Sequence, residues 1–132
     1  MSVDSIADFL TIIRNGVMVS KSFVTAPYSK MRHSIAQILK EQGFINDFVI
    51  VNTDSDVKKR LKVVLRYVDG ESAIHEIKRE SKPGRRVYAG SAEIKPVIGQ
   101  LGISILTTSH GVIAHQKAKE LSVGGEIICT VW

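Results

Sequence analysis

The segment from residue 5 to residue 19 has the sequence SIADFLTIIRNGVMV, in which apolar side chains recur at intervals of three and four residues. These side chains are Ile6, Phe9, Leu10, Ile13 and Val17. Because an α-helix turns once every 3.6 residues, this spacing puts them on one face and predicts an amphipathic helix packed against a core. Asp4 precedes the segment and is positioned to cap the first turn of that helix.

Downstream of this helix the pattern alternates between strand and helix. Residues 23–27 are rich in β-forming side chains, and a second helix is expected to begin at Ser29 and to stop at Gly43. Its inward-facing side chains would be Ile35, Ile38 and Leu39. Residues 48–51 and 61–68 have the composition or the alternation of strands, with a polar loop between them. The first half is therefore predicted to be α-β-α-β-β and to close with a β-hairpin.

The strongest turn signal in the middle of the chain is Asp69-Gly70-Glu71, and it predicts a boundary between an α/β domain at 1–70 and a second domain at 71–132. In the second half, glycines and a Pro83-Gly84 pair separate short apolar segments, as in a mainly β unit. These apolar segments lie at residues 74–77, 87–89, 103–106 and 127–131, with helical turns expected at 93–98 and 115–121. The predicted fold class is α+β, with two small domains packed together.

Composition narrows the range of partners. The chain has 132 residues, a net charge of +5 and a pI near 9.5, which favours a polyanionic partner. Nucleic acid, an anionic membrane surface and an acidic protein would all complement that charge, and the alternative is a soluble basic protein without such a partner.

Cys129 is the single cysteine and lies in an apolar run, so no intramolecular disulfide is possible and a reducing compartment is expected. No secretory leader or membrane-spanning run is recognisable, which predicts a protein of the cytosol or an organelle interior.

The densest charge run, at residues 78–88, has the sequence KRESKPGRRVY. Its cations are Lys78, Arg79, Lys82, Arg85 and Arg86. A Pro-Gly turn would hold them on a short arc able to neutralise several RNA phosphates, with Tyr88 available for stacking. The alternative is a solvated loop with Tyr88 in the core. A second cluster is expected to decorate an exposed hairpin and consists of Lys58, Lys59, Arg60, Lys62 and Arg66.

Two turns combine hydroxyl groups or an acidic group with glycine. Thr107-Thr108-Ser109-His110-Gly111 follows an apolar strand, and its hydroxyls and backbone amides could contact bases, phosphates or ribose 2′-OH groups. Hydrogen bonds confined to the turn are the alternative. Gly124-Gly125-Glu126 precedes the last strand, where the carboxylate could accept hydrogen bonds from base amino groups or could simply be solvated.

Enzymatic interpretations find little support in the residue pattern. The histidines and the cysteine lack the spacing of metal ligands, and no phosphate-binding glycine loop or nucleophile-elbow motif is present. Ser109 next to His110 is the one pair that suggests a nucleophile and a base. Adjacent side chains on an extended segment point to opposite faces, so this pair is not expected to be catalytic. We expect no catalytic residue, no metal and no cofactor.

Motifs along nearly the whole chain resemble the bacterial-type family of the eighth small-subunit ribosomal protein. The matching stretches are Ile6-Ala7-Asp8-Phe9-Leu10, Ile12-Ile13-Arg14-Asn15, Ser29-Lys30, Ile38-Leu39-Lys40-Glu41, Gly43-Phe44-Ile45, Ser81-Lys82-Pro83-Gly84, Arg86-Val87-Tyr88, Leu101-Gly102-Ile103, Thr108-Ser109, Gly111-Val112, Val123-Gly124-Gly125-Glu126-Ile127 and Val131-Trp132. They recur in the order and spacing of the family, which makes the resemblance highly specific.

The resemblance implies an α-β-α-β-β domain followed by a mainly β domain, and it implies RNA as the partner. Members of the family are primary binders of the central domain of small-subunit ribosomal RNA, are needed for subunit assembly alongside other small-subunit proteins, and would be monomers off the ribosome. An alternative implied function is repression of the family's own operon messenger RNA through the same surface. The RNA-binding residues that the resemblance implies are Ser29, Lys30, Tyr88, Thr107, Thr108, Ser109, Gly111, Gly124, Gly125 and Glu126. Three residues of the two turns complete the predicted site: Lys82, Arg86 and His110.

Two departures from the family pattern concern charge. His110 stands where the family usually has lysine, and Arg85 stands where leucine is frequent. Our hypothesis is that Arg85 supplies at one turn the phosphate-binding cation that the other turn lacks. A third interpretation, a module that binds an acidic protein partner, predicts purification without RNA and weak RNA affinity at physiological salt.

Overall fold

The computed structural model describes residues 5–52, 59–90 and 102–132. Their contacts group into two compact units, Ser5–Ile74 and His75–Trp132. The N-terminal unit contains α1 (Ser5–Met18), β1 (Phe23–Pro27), α2 (Lys30–Glu41), β2 (Ile45–Asn52), β3 (Lys59–Leu65), β4 (Tyr67–Val68) and β5 (Glu71–Ser72). The C-terminal unit contains β6 (Ile77–Arg79), β7 (Tyr88–Ala89), β8 (Ile103–Thr108), β9 (Gly111–Ala114), α3 (His115–Leu121) and β10 (Gly125–Val131). The predicted α+β class is confirmed.

Helix α1 buries the apolar stripe that its sequence predicts. Phe9, Leu10 and Ile13 are fully buried, whereas Val17 at the end of the stripe is only half-buried. Gly16, next to Val17, is buried instead. It packs so closely against Val24 of β1 that a Cβ atom at Gly16 would collide with the Val24 side chain. The expected capping residue, Asp4, lies outside the described residues.

Helix α2 begins and ends where the sequence predicts. The Ser29 side chain accepts a hydrogen bond from the Arg32 backbone N–H at 3.1 Å, which caps the first turn. Beyond the other end, Gly43 has φ +82°, a conformation that favours glycine. The predicted inward-facing side chains, Ile35, Ile38 and Leu39, are buried.

The three-stranded antiparallel sheet of this unit has the order β1-β3-β2. Leu61, Val63 and Leu65 of β3 form its buried side, as their alternation predicts. The predicted strand over 61–68 is too long, because β3 ends at Leu65 and Tyr67–Val68 pairs instead with Glu71–Ser72. Asp69 and Gly70 allow this tight hairpin because both adopt positive φ, at 53° and 82°.

In the C-terminal unit, β10 is the central strand of an antiparallel sheet with the order β6-β10-β8-β9, and β7 also pairs with β10. Strand β9 was not predicted, because its apolar run is too short to be distinguished from a loop. The helical turns predicted at 115–121 are confirmed and form α3, whose Ala118 packs against Leu106. The helical turn expected at 93–98 lies outside the described residues. Cys129 is fully buried, and burial raises the pKa of its thiol to about 12.

Within residues 5–52, 59–90 and 102–132, no helix is both long and apolar enough to cross a membrane.

Candidate nucleic-acid interface

Three of the predicted RNA-binding residues lie side by side across neighbouring strands. In β10, Glu126 is paired with Tyr88 of β7 on one side and with Thr107 of β8 on the other. Directly paired residues in an antiparallel sheet project from the same face. The opposite face is the one covered by α3, where Leu106 and Ile127 pack around Ala118. Tyr88, Glu126 and Thr107 therefore share the face that α3 leaves uncovered.

Tyr88 is the most exposed member of this row. Its exposed fraction is 68%, so the alternative that places its ring in the core is wrong. An aromatic ring held on a paired strand at the protein surface can stack on an unpaired base or present its hydroxyl to a phosphate.

The turn between β8 and β9 carries the predicted hydroxyl cluster. The Thr108 hydroxyl donates to the Gly111 carbonyl at 3.0 Å and accepts from the His110 backbone N–H at 3.0 Å. The local-turn alternative is therefore confirmed for Thr108. Ser109 and His110 are exposed at the tip, and neither side chain hydrogen-bonds within the described part of the chain. Gly111 closes the turn with φ +96°, which favours glycine.

Gly124 and Gly125 let β10 come close to both of its neighbours. A Cβ atom at Gly124 would lie 2.7 Å from the Gly90 Cα atom, and one at Gly125 would lie 2.9 Å from the Thr108 Cγ2 atom. Both separations are too short for carbon atoms, so larger residues would separate the strands. The two glycines therefore determine how Tyr88 and Thr107 are spaced.

Glu126 is engaged within the protein, so the solvated alternative does not hold. Its carboxylate accepts hydrogen bonds from the Ser81 hydroxyl and from Arg86 Nη1, the latter at 3.0 Å, and its side chain is only 17% exposed. The Ser81 hydroxyl, followed by Arg86, holds the pKa of Glu126 below its ordinary value. The contact between Ser81 and Glu126 is not predictable from the sequence, because a serine within a charged run gives no sign that it is buried.

The basic run forms the tight turn that its Pro-Gly pair predicts. Lys82 and Arg85 face each other across that turn, with reciprocal backbone hydrogen bonds of 2.9 Å. The side chains of Lys82, Arg85 and Arg86 are exposed. Arg79 has a structural contact, because its Nη1 donates to the Ile128 carbonyl at 2.8 Å.

The chain matches the family model described as Ribosomal protein S8 over residues 4–132. It belongs to the ribosomal protein S8 family. It is 45% identical over 129 residues to the small ribosomal subunit protein uS8 of Marinobacter nauticus, covering 98% of this chain and 97% of that relative. The uS8 protein of Neisseria meningitidis is 46% identical over 128 residues, covering 97% and 96%. That of Chlamydia pneumoniae is 44% identical over 133 residues, covering 100% and 98%.

The remaining predicted site residues of this S8-family chain lie in the N-terminal unit. Ser29 caps α2 through its side chain, and Lys30 is exposed as the first helical residue. In the second basic cluster, Lys62 Nζ lies 4.3 Å from the centre of the Phe23 ring, and Arg60 Nη2 donates to the Thr25 hydroxyl at 3.3 Å. These contacts fit the prediction that the cluster decorates the sheet hairpin. Lys58 lies outside the described residues.

Proposed function

We propose that this chain is a constituent of the small ribosomal subunit and that it binds the central domain of small-subunit ribosomal RNA during subunit assembly. The observation that carries the proposal is the row of Tyr88, Glu126 and Thr107 beside the exposed Ser109-His110 turn. The three relatives described above are small ribosomal subunit proteins, which supports the same assignment. The proposed setting is a cytoplasmic ribosome, with an organellar ribosome as the alternative, and the free protein would be a monomer.

The mechanism is shape-selective binding of an irregular RNA stem. Hydroxyls and backbone amides at Thr107, Ser109 and Gly111 contact ribose 2′-OH groups and base edges in a distorted minor groove, and Tyr88 stacks or hydrogen-bonds beside them. Cations at the Pro-Gly turn, with Lys30 and the backbone at Ser29, hold phosphates and fix the orientation of the protein. No cofactor takes part.

Binding assays with two RNAs test this mechanism. The first RNA is the central-domain stem that the wild-type protein protects in footprinting, and the second is a random duplex of equal length. Ser109→Ala should lower affinity for the stem far more than for the duplex, because a hydroxyl at the exposed tip can contribute to recognition of one structure. Lys30→Ala is the matched control and should weaken both complexes similarly, because a phosphate contact is insensitive to sequence. Equal losses for Ser109→Ala would contradict the recognition mechanism.

Sedimentation of a cell extract tests the assignment to the ribosome. The protein should travel with the small subunit, and its purified complex should protect central-domain RNA. A protein that purifies without RNA and binds RNA only weakly at physiological salt would instead be a module for an acidic protein partner.

The second candidate function is repression of translation by binding the operon's own messenger RNA. The same exposed turn and row of residues would bind both the messenger RNA and the ribosomal RNA, so the two functions are compatible. Competition between the ribosomal stem and the operon message for the purified protein ranks the two targets.

A further inference from the structure

Ser81 lies at the base of the basic turn and is fully buried, with 0% of its surface exposed. Its hydroxyl donates to the Glu126 carboxylate and accepts from the Val87 backbone N–H at 3.2 Å. Val87 immediately precedes Tyr88, and Glu126 is the residue paired with Tyr88 across the sheet. A single buried hydroxyl therefore connects the two backbone segments that carry the exposed ring.

The same carboxylate closes the basic loop on the sheet. Arg86 Nη1 donates to Glu126 at 3.0 Å, and Lys82, next to Ser81, pairs with Arg85 through backbone hydrogen bonds of 2.9 Å. The loop from Ser81 to Tyr88 is thus tied to β10 at both ends. Hydrogen bonds to an ionised group are about twice as strong as neutral ones, which makes Glu126 an effective anchor.

We infer that Ser81 is a positioning residue that determines RNA specificity, because it holds Glu126 and Val87 so that Tyr88 and the Lys82–Arg85 turn keep one geometry relative to Thr107. The inference rests on the proposed function and changes the role of one of its residues. Glu126 acts through Ser81 and Arg86 as the anchor of the loop, instead of accepting hydrogen bonds from bases. This arrangement also reduces the electrostatic repulsion between its carboxylate and nearby phosphates.

Ser81 is too buried to touch RNA, so any effect on recognition must pass through the loop. In the Ser81→Ala variant, Glu126 keeps Arg86 but loses its buried donor, and the Val87 N–H loses its acceptor. The variant keeps every cation of the chain, so binding to the random duplex, which depends on charge and not on one fixed geometry, should change little, as should its salt dependence. Affinity for the protected stem should fall about tenfold, the effect of losing one hydrogen bond to a charged group.

The experiment compares dissociation constants of wild-type protein, Ser81→Ala and Ser104→Ala for the protected stem and the random duplex. Ser104 is the matched control, a buried serine of the same sheet that lies outside the Glu126 network. Binding is measured at a temperature at which circular dichroism shows all three proteins folded. The expected result is a tenfold lower stem-to-duplex affinity ratio for Ser81→Ala and an unchanged ratio for Ser104→Ala. Ser81→Thr, which keeps the hydroxyl, should restore most of the ratio.

The other outcomes distinguish this inference from the proposed function. If the wild-type protein prefers the stem and Ser81→Ala keeps that preference, or loses affinity for both RNAs equally, the positioning role is overturned and the proposed function stands. If the wild-type protein shows no preference, the proposed function fails and the inference fails with it. Should Ser81→Ala not fold, hydrogen exchange of the Val87 amide in the wild-type protein decides, because rapid exchange there would overturn the inference.

Discussion

Individual buried polar residues carry much of the specificity of this fold. Arg32, Ser81, Ser104 and His115 are all buried. The side chains of Arg32, Ser81 and His115 each hydrogen-bond to a residue distant in the sequence. Each donor or acceptor withdrawn from water needs a protein partner, so such residues tolerate few arrangements around them.

His115 makes the stability of the C-terminal unit sensitive to acid. Its Nδ1 atom accepts the Ser104 N–H at 3.1 Å, which requires that nitrogen to be unprotonated, and burial lowers the pKa of the ring. Below about pH 6.5 the unfolded chain takes up a proton that the folded chain resists, so stability is lost as the pH falls, by at most about 1.4 kcal/mol per pH unit for one group. The free energy of unfolding, measured in urea, should therefore depend less on pH in His115→Gln than in the wild-type protein between pH 7 and pH 5. If the unfolding free energies of the two proteins changed equally with pH, His115 would not be the source of the acid sensitivity.

Arg32 should be important for the stability of the N-terminal unit. Its guanidinium donates to the Ser5 carbonyl at 3.2 and 2.9 Å and to the Pro27 carbonyl at 3.0 Å, which ties α2 to the start of α1 and the end of β1. Arg32→Ala leaves these carbonyls without their donor and should lower the free energy of unfolding by about 2 to 3 kcal/mol, measured by thermal or urea unfolding. Arg60→Ala, which removes one exposed contact to Thr25, is the control and should lower it by less than about 1 kcal/mol. Similar losses in both variants would argue against a special role for Arg32.

Among the elements, β10 organises the proposed interface. It pairs with β6 and β7 on one side and with β8 on the other, and its register shifts between Ile127 and Cys129. A bulge of this kind bends a strand and changes the direction of its side chains. On one side of this shift, Glu126 is partly exposed, and on the other side Cys129 and Val131 are buried.

The start of β10 should tolerate no side chain at Gly125. A Cβ atom there would collide with the Thr107 carbonyl oxygen and lie 2.9 Å from Thr108 Cγ2, so Gly125→Ala must push β10 away from β8. We expect a loss of about 1 to 3 kcal/mol in unfolding free energy together with weaker stem binding. Gly84→Ala is the control, since an added Cβ there meets nothing within 4 Å. If Gly125→Ala were as stable as Gly84→Ala and bound the stem equally well, the strands would not need to approach so closely.

At the scale of the whole molecule, the proposed function divides RNA binding into two contributions: the net charge of +5 would set the general attraction to RNA, and the arrangement of hydroxyls and the aromatic ring would set the choice among RNAs. The two contributions respond differently to salt, because each phosphate contact releases counterions and a hydroxyl contact does not.

Arg85→Leu tests the charge contribution. Arg85 is exposed on the basic turn, so it should add one phosphate contact. The slope of log affinity against log salt concentration should become shallower by about 0.7 to 0.9 in Arg85→Leu, whereas the stem-to-duplex ratio should stay the same. Lys78→Leu is the comparison variant, because Lys78 is also an exposed cation of the run. An unchanged slope for Arg85→Leu would contradict the hypothesis that Arg85 supplies the phosphate-binding cation that the other turn lacks.

The sequence determined those features that depend on neighbours along the chain. The spacing of Phe9, Leu10 and Ile13 and the alternation at Leu61, Val63 and Leu65 are local, and helix and strand periods report them directly. The start of α2 at Ser29 is also a local feature. The motif order also identified the family. Tertiary structure alone decided that Tyr88, Glu126 and Thr107 form one row, that Gly16 replaces Val17 in the core, and that Ser81 is buried against Glu126. Those facts depend on strand register and on contacts between residues as far apart as 81 and 126, and no local period encodes such pairings.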